Sequence, residues 1–455
     1  MTRDATTPAR PTRRRGRWVA APLCAAGAAA AVLAPGATAF AAGPHTAPAP
    51  APAATSHTSP GRPGAGDHAV RQAVRQLTGA GLPGAIALIR DHGRTAMAAA
   101  GYADLATKRP MSTADHLRIG SNTKVFTATL VLQLVAEGRL GLDDTVQQLL
   151  PNIIKGGDHI TVRQLLNHTS GLYPFEQDPA FAAPYLQGDA GYYRSPRQLV
   201  ALANAHAPLF KPGTKFSYSN TNYFLLGLII EKITHHSYKQ ELHHRIIQPL
   251  GLRDTQLPVR SLKVPEPAAH GYLLDQPGRA PRDITSAISP STTWAAGALT
   301  STVNDLARFD RALLTGKLLP KAQLNEMMKL GPYKVDPADP TKGYGLGLEK
   351  VRLCGVTMWG HTGTVLGTQT NAFTSTDGTR QLVLTTNADP DTWNAGQVSA
   401  WLTTARHTLC VNSPHDGGRF FSRSDHHQKP RTMSSHNGRV DDPRTYRSTE
   451  QPTTS

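Results

Sequence analysis

Ser121 is the one serine in the 455-residue chain followed three positions later by a lysine, Lys124. A hydroxyl and an amine one helical turn apart are the minimum needed for a nucleophile and its base. Gly120 precedes the serine. Val125, Phe126, Leu130, Val131, Leu134 and Val135 follow at helical spacing, and Gly138 closes the run. This context predicts Ser121 at a helix N-terminus, where free N–H groups and the helix dipole stabilise developing negative charge. The same positive end, with desolvation, disfavours an ammonium at Lys124 and lets it share in taking the serine proton. A second cluster, Tyr218-Ser219-Asn220, offers a phenol that can ionise or relay a proton beside cations, and an amide that can dock a backbone carbonyl. A third, His361-Thr362-Gly363-Thr364, offers an imidazole that can donate to a carboxylate or pass a proton near neutral pH. There the missing side chain of Gly363 admits close backbone approach, and the Thr364 N–H pairs with that of Ser121 as a two-donor oxyanion hole. Taken singly, each cluster also reads as ordinary structure: a capping serine, a turn before a helix, a structural histidine.

The elements that would hold these groups are legible from periodicity. Asp67 to Thr78 has helical spacing, and two strands, Ala85 to Arg90 and Thr95 to Tyr102, join at Asp91-His92-Gly93. At the far end Val356 to Trp359, Thr370 to Thr374 and Gln381 to Thr386 are strand-like, with Asp377-Gly378 as a hairpin turn, and Trp393 to Leu409 is helical. Between them lie predicted helices at Lys124 to Glu137, Val162 to Asn167, Pro196 to Ala205, Thr221 to Thr234 and Asn304 to Leu314. Terminal strands with a helical middle predict an α/β (α+β) body: one antiparallel sheet built from both chain ends, flanked by helices, with a mostly helical second lobe. The groove between the two is the expected site.

In this order and with these long separations, Ser121-x-x-Lys124, Tyr218-Ser219-Asn220 and His361-Thr362-Gly363 resemble the serine D-alanyl-D-alanine carboxypeptidases of the Streptomyces type, which share the β-lactamase/transpeptidase-like fold of class C β-lactamases. Leu117-Arg118-Ile119-Gly120, Leu165 to Leu172, Trp294-Ala295-Ala296-Gly297 and Tyr344 to Leu348 extend the resemblance over roughly Asp67 to Asn412. The resemblance implies that Ser121 forms an acyl-enzyme, that Lys124 and Tyr218 shuttle its proton, and that Asn220 positions the substrate amide. It also implies that His361, Thr362, Gly363 and Thr364 line the strand that receives the peptide and its terminal carboxylate, and that Trp294 walls the cleft. Stem peptides of peptidoglycan or other D-amino-acid peptides become the expected substrates, β-lactams the expected inhibitors, with no cofactor or metal. Glu349 departs from the pattern: carboxypeptidases can carry a basic residue there, and Lys350 or Arg352 are the candidates to replace it. An esterase, or a D-stereospecific aminopeptidase or amidase of the same fold, is the nearest rival, and a non-catalytic peptidoglycan or β-lactam binder a more distant one.

Charge and composition bound the rest. The first 65 residues carry seven Arg against Asp4, so +8 of the formal +16 belongs to the middle once the tail's +2 is removed. That excess lacks the basic runs and aromatic platforms of a nucleic-acid binder. Residues 1–41 read as a signal peptide, with Arg13 to Arg17 before an Ala-rich apolar run and small residues near Ala41. Residues 42–65 read as a Pro/Ala-rich linker, 66–412 as the hydrolase domain, and 413–455 as a disordered tail. The expectation is a secreted monomer without stable membrane insertion. Its two remaining cysteines, Cys354 and Cys410, would pair in an oxidising compartment, closing a loop of about 55 residues for roughly 3 to 4 kcal/mol.

Overall fold

Alternation along the central strands sorts side chains between two cores. Ala85, Ala87 and Ile89 face one, Ile86 and Leu88 the other. Leu382 and Leu384 divide from Val383 in the same way. The structure is a computed structural model that describes residues 55–57 and 65–410, except 187–190, 275–279, 288, 332, 334 and 337–340. The expected signal segment, most of the expected linker and the expected tail lie outside the described residues. All described residues belong to one compact unit.

The strands of the main sheet are β1 (Thr55–His57), β2 (Gly84–Asp91), β3 (Arg94–Asp104), β4 (Arg109–Pro110), β5 (Gly343–Tyr344), β6 (Glu349–Leu353), β7 (Val356–Val365), β8 (Thr368–Ser375) and β9 (Arg380–Thr386). They form one nine-stranded antiparallel sheet in the order β1-β3-β2-β9-β8-β7-β6-β5, with β4 on β3. The N-terminal hairpin therefore pairs with the last strand of the chain, Leu382 against Ile89 and Leu384 against Ala87, which closes the sheet from both ends. Within the stretch read as linker, Thr55–His57 adds an edge strand to β3.

On one face lie α1 (Ala65–Gly79) and α8 (Ala395–Cys410). Val70, Val74, Leu77 and Trp401 cover the sheet there. The other face carries α2 (Thr123–Ala136), α3 (Val162–Leu166), α4 (Pro196–Asn204), α5 (Asn220–Thr234), α6 (Trp294–Gly297) and α7 (Val303–Leu314). The expected second lobe is this helical middle, and it shares one continuous core with the sheet. Helices α2 and α5 are apolar almost all round, as helices covered on every side must be. No helix among the described residues is long and apolar enough to cross a membrane.

One expectation about a strand is corrected. His361 to Thr364 do not follow a strand ending at Trp359; β7 runs on to Val365, paired throughout with β8. The small and β-branched residues of this segment fit a pleated surface, and the apolar signal faded only because the strand leaves the core for the site.

Candidate active site

Ser121 lies in a single 3-10 turn, Gly120–Asn122, that leads directly into α2. Two glycines let this turn press against β7. A Cβ on Gly363 would come 2.1 Å from the Ile119 carbonyl oxygen, and one on Gly120, whose φ is +52°, would come 2.7 Å from that of Thr364. Strand β6 pairs with β7 only from Val356 to Gly360. Beyond that point the β7 backbone beside Ser121 is an edge on which an extended substrate can add as a strand.

Lys124 is fully buried and its ammonium is held at three points. Nζ donates to Ser121 Oγ at 2.9 Å, to Asn220 Oδ1 at 2.7 Å and to the Ala296 carbonyl at 2.9 Å. Burial pulls its pKa from 10.5 down to about 7, against the opposing pull of Glu176 and Glu349. A lysine in this state deprotonates readily and touches the nucleophile. Asn220, the first residue of α5, spends its carbonyl on Lys124 and keeps its amide N–H groups for a substrate carbonyl.

Tyr218 supplies the phenol, 4.7 Å from ring centroid to Lys124 Nζ. Its hydroxyl is buried without a well-formed hydrogen bond, yet Ser121 is near enough to pull its pKa down. Burial outweighs that pull and holds the phenol well above its ordinary value. Of the two forms admitted on sequence grounds, this shift favours the neutral phenol over the ionised one. The Tyr218 ring stacks on His168, 4.2 Å between centroids. His168, buried and at φ +59°, accepts from Ser219 N and Asn222 Nδ2 through Nδ1. Burial, Lys124 and His361 hold its pKa well below the usual range, so the ring is neutral.

His361 is 1% exposed and both its ring nitrogens are engaged. Nδ1 faces the Thr362 carbonyl, which can only accept, so Nδ1 carries the proton and Nε2 accepts from Tyr344 Oη at 3.0 Å. Burial lowers its pKa, with Glu349 opposing. Glu349 Oε1 lies 3.3 Å from that Nδ1 and accepts from Thr362 Oγ1 at 2.7 Å. Lys350 and Arg352 alternate with Glu349 along β6: Lys350 pairs with Trp359, which belongs to the core on the α2 face, whereas Val351 and Leu353, on the side of Glu349, pack with α1 and α8. Thr364 donates its hydroxyl to Gln369.

Trp294 is also corrected. Its indole packs inward against Phe224 and Tyr238, over Gly227, where a Cβ would touch the ring, and so does not form a cleft wall. What α6 contributes to the site is the Ala296 carbonyl. Cys354 sits in the turn between β6 and β7; the side chain of Cys410 lies outside the described residues.

Glu176 escaped the sequence reading. One of its oxygens accepts from Asn220 N at 3.1 Å, while the other is buried with no partner among the described residues. Burial raises its pKa, and Lys124 pulls it back. Its only sequence signal was an acid within the apolar stretch that follows His168-Thr169-Ser170-Gly171.

Residues 70–401, well over half of the chain, match the family described as Beta-lactamase, and the chain belongs to that family of serine hydrolases. Among solved structures it is similar to a D-stereospecific amidohydrolase from Streptomyces sp., 42% identical with a TM-score of 0.67 over 73% of this chain and 98% of that one. It is similar too to the D-amino acid amidase of Ochrobactrum anthropi SV3, 27% identical with a TM-score of 0.68 over 76% and 98%. Penicillin-binding protein 4* of Bacillus subtilis (strain 168) is 29% identical over 310 residues, 64% of this chain. The chain spans 65% of the length of that relative and 34% of Protein flp from Staphylococcus aureus (strain MW2).

Proposed function

We propose that this chain is a D-stereospecific acyl hydrolase of D-amino-acid amides and short D-peptides with a free α-ammonium, working through an acyl-enzyme on Ser121. The observation that carries this reading is the pair of carboxylates in the cleft. Glu349, bound by Thr362 and 3.3 Å from His361 Nδ1, puts negative charge beside the strand edge where a carboxypeptidase would bind its substrate's terminal carboxylate. Glu176 offers a buried, half-satisfied carboxylate beside Asn220 and Lys124, where an ammonium would complete it. The relatives named for D-stereospecific amide hydrolysis support the same choice.

Neutral Lys124 takes the Ser121 proton as Oγ attacks the carbonyl, and the N–H groups of Ser121 and Thr364 receive the oxyanion. Lys124, with Tyr218 as relay, passes the proton to the leaving amine. Water then repeats the sequence to release the acid. β-Lactams, as cyclic amides, should acylate Ser121 by the same route. Export through residues 1–41 and pairing of Cys354 with Cys410 belong to this proposal.

The test compares kcat/KM for D-alaninamide, L-alaninamide, N-acetyl-D-alaninamide and N-acetyl-D-Ala-D-Ala, with Ser121→Ala as blank. Turnover of the free-amine D-amide, reduced about tenfold or more by acetylation, is expected. Turnover confined to the acetylated dipeptide would return the chain to the carboxypeptidases.

A further inference from the structure

The end of the sheet farthest from Ser121 carries a groove of about 480 Å³ lined by Arg90, Arg308, Arg311 and Lys317 over a floor that includes Pro249 and Leu250. The four cations come from three separate segments: Arg90 from β2, Arg308 and Arg311 from α7, Lys317 from the turn after it. No carboxylate lines this groove, and among the described residues none of the four forms an ion pair. The guanidinium groups are held by neutral acceptors instead. Arg90 Nε donates to Gln381 Oε1 at 2.8 Å, Arg311 Nε to the Gly378 carbonyl at 3.3 Å, and Arg308 Nη1 to the Gly251 carbonyl at 3.0 Å. Gln381 is fully buried and is itself fixed by donating to Ala307 O and Thr374 Oγ1. On α7, Asp305 accepts from the backbone N–H of Asp254 and the hydroxyl of Thr255 and feels the charge of Arg308 without pairing with it.

Such an arrangement fixes the forks while leaving most of their charge and most of their N–H donors unspent. Burial lowers the pKa of Arg90, and the like charge of Arg311 nearby adds to that effect. We infer that this groove is a binding site for an anion carrying several phosphate groups, separate from the active site. Planar guanidinium forks match phosphate oxygens, and four cations call for more charge than one carboxylate or one orthophosphate brings. A groove of this volume is of small-ligand size. The register places it five residues along the strands from the Thr364-Gln369 row, roughly 17 Å, so occupancy leaves the catalytic groups untouched.

The same chemistry is presented by a free oligophosphate and by a phosphodiester polymer. Calorimetric titration of the full chain with tripolyphosphate at 150 mM salt, roughly physiological, distinguishes a built site from general basicity. The double variant Arg308→Gln, Arg311→Gln should bind at least about tenfold more weakly than wild type. The charge-matched control Arg71→Gln, Arg75→Gln on α1 should bind as wild type does, and hydrolysis by all three should be equal. Equal affinity in wild type and the groove variant, or an equal loss in the control, overturns the site. A short poly(glycerol phosphate) that competes with tripolyphosphate in wild type assigns the polymer as the natural form; failure to compete assigns the free oligophosphate.

Discussion

The imidazole of His168 lies against the ring of Tyr218 with 4.2 Å between centroids, while its Nδ1 accepts from the backbone of Ser219. One neutral side chain thus fixes both the plane of the phenol and the turn that carries it. His168 touches neither the nucleophile nor the amine, so it is a positioning residue. Asn tolerates the left-handed backbone at this position. His168→Asn should therefore fold but lose the stack, lowering kcat by roughly 10- to 100-fold with KM little changed. Steady-state kinetics beside a melting curve check this; a parallel loss of Tm and activity would make the role purely structural.

Lys124 sets the pH dependence. With neutral Lys124 as base, as proposed, and its pKa held at about 7, kcat/KM should rise with pH through an apparent pKa near 7 and then level off. A limb above 10 would instead assign the base to Tyr218, whose pKa burial pushes up. Lys124→Met should cost on the order of 10³-fold in kcat. Stability has its own sign. Between about 7 and 10.5 the unfolded chain holds a proton on Lys124 that the folded chain has released, so wild-type stability rises with pH across that window. The Lys124→Met variant lacks this rise, and paired denaturation curves at pH 7 and pH 10 read the difference.

Much of this was legible from the chain itself. Ser121 and Lys124 declared themselves by spacing and by the apolar helix behind them, and every long predicted helix forms within a residue or two of its expected bounds. β2 and β9 are buried on both faces and therefore read as short continuous apolar runs bounded by turn residues, so those strands were visible as well. The signal failed where side chains serve the site instead of the core. The end of β7 is Thr- and Gly-rich, and Trp294 looked like a cleft residue until its place over Gly227 was seen. Glu176 and the arginine groove were invisible for another reason: their partners lie 44 and 291 residues away in sequence, and only folding brings them together.

Gly363 is a steric prediction. The contact between the Ser121 turn and β7 leaves no space for a methyl group, since the atom it would meet first is backbone. Gly363→Ala must push Ile119 and the nucleophile turn away from the strand. The expected result is nearly complete loss of acylation with a stability cost of about 2 to 4 kcal/mol. Gly355→Ala is the comparison: nothing lies within 4 Å of its Cβ, so its cost is backbone strain alone and the site should stay active. Labelling of Ser121 by a fluorophosphonate, read against Tm, separates the two.

Glu349 carries the specificity argument. Its carboxylate is bound by Thr362 and lies beside His361, whose pKa it raises against burial. Glu349→Gln preserves the hydrogen bond from Thr362 while removing the charge. His361 should then titrate lower still, and the strand edge should cease to repel an incoming carboxylate. Hydrolysis of N-acetyl-D-Ala-D-Ala should rise relative to D-alaninamide by about tenfold, the equivalent of some 1.4 kcal/mol of relieved repulsion. The gain should shrink as salt is raised, because the repulsion it removes is electrostatic. A ratio of the two kcat/KM values that does not move in Glu349→Gln would mean that this carboxylate does not face the substrate's leaving end, and the choice of amide over carboxypeptide would then rest on Glu176 alone.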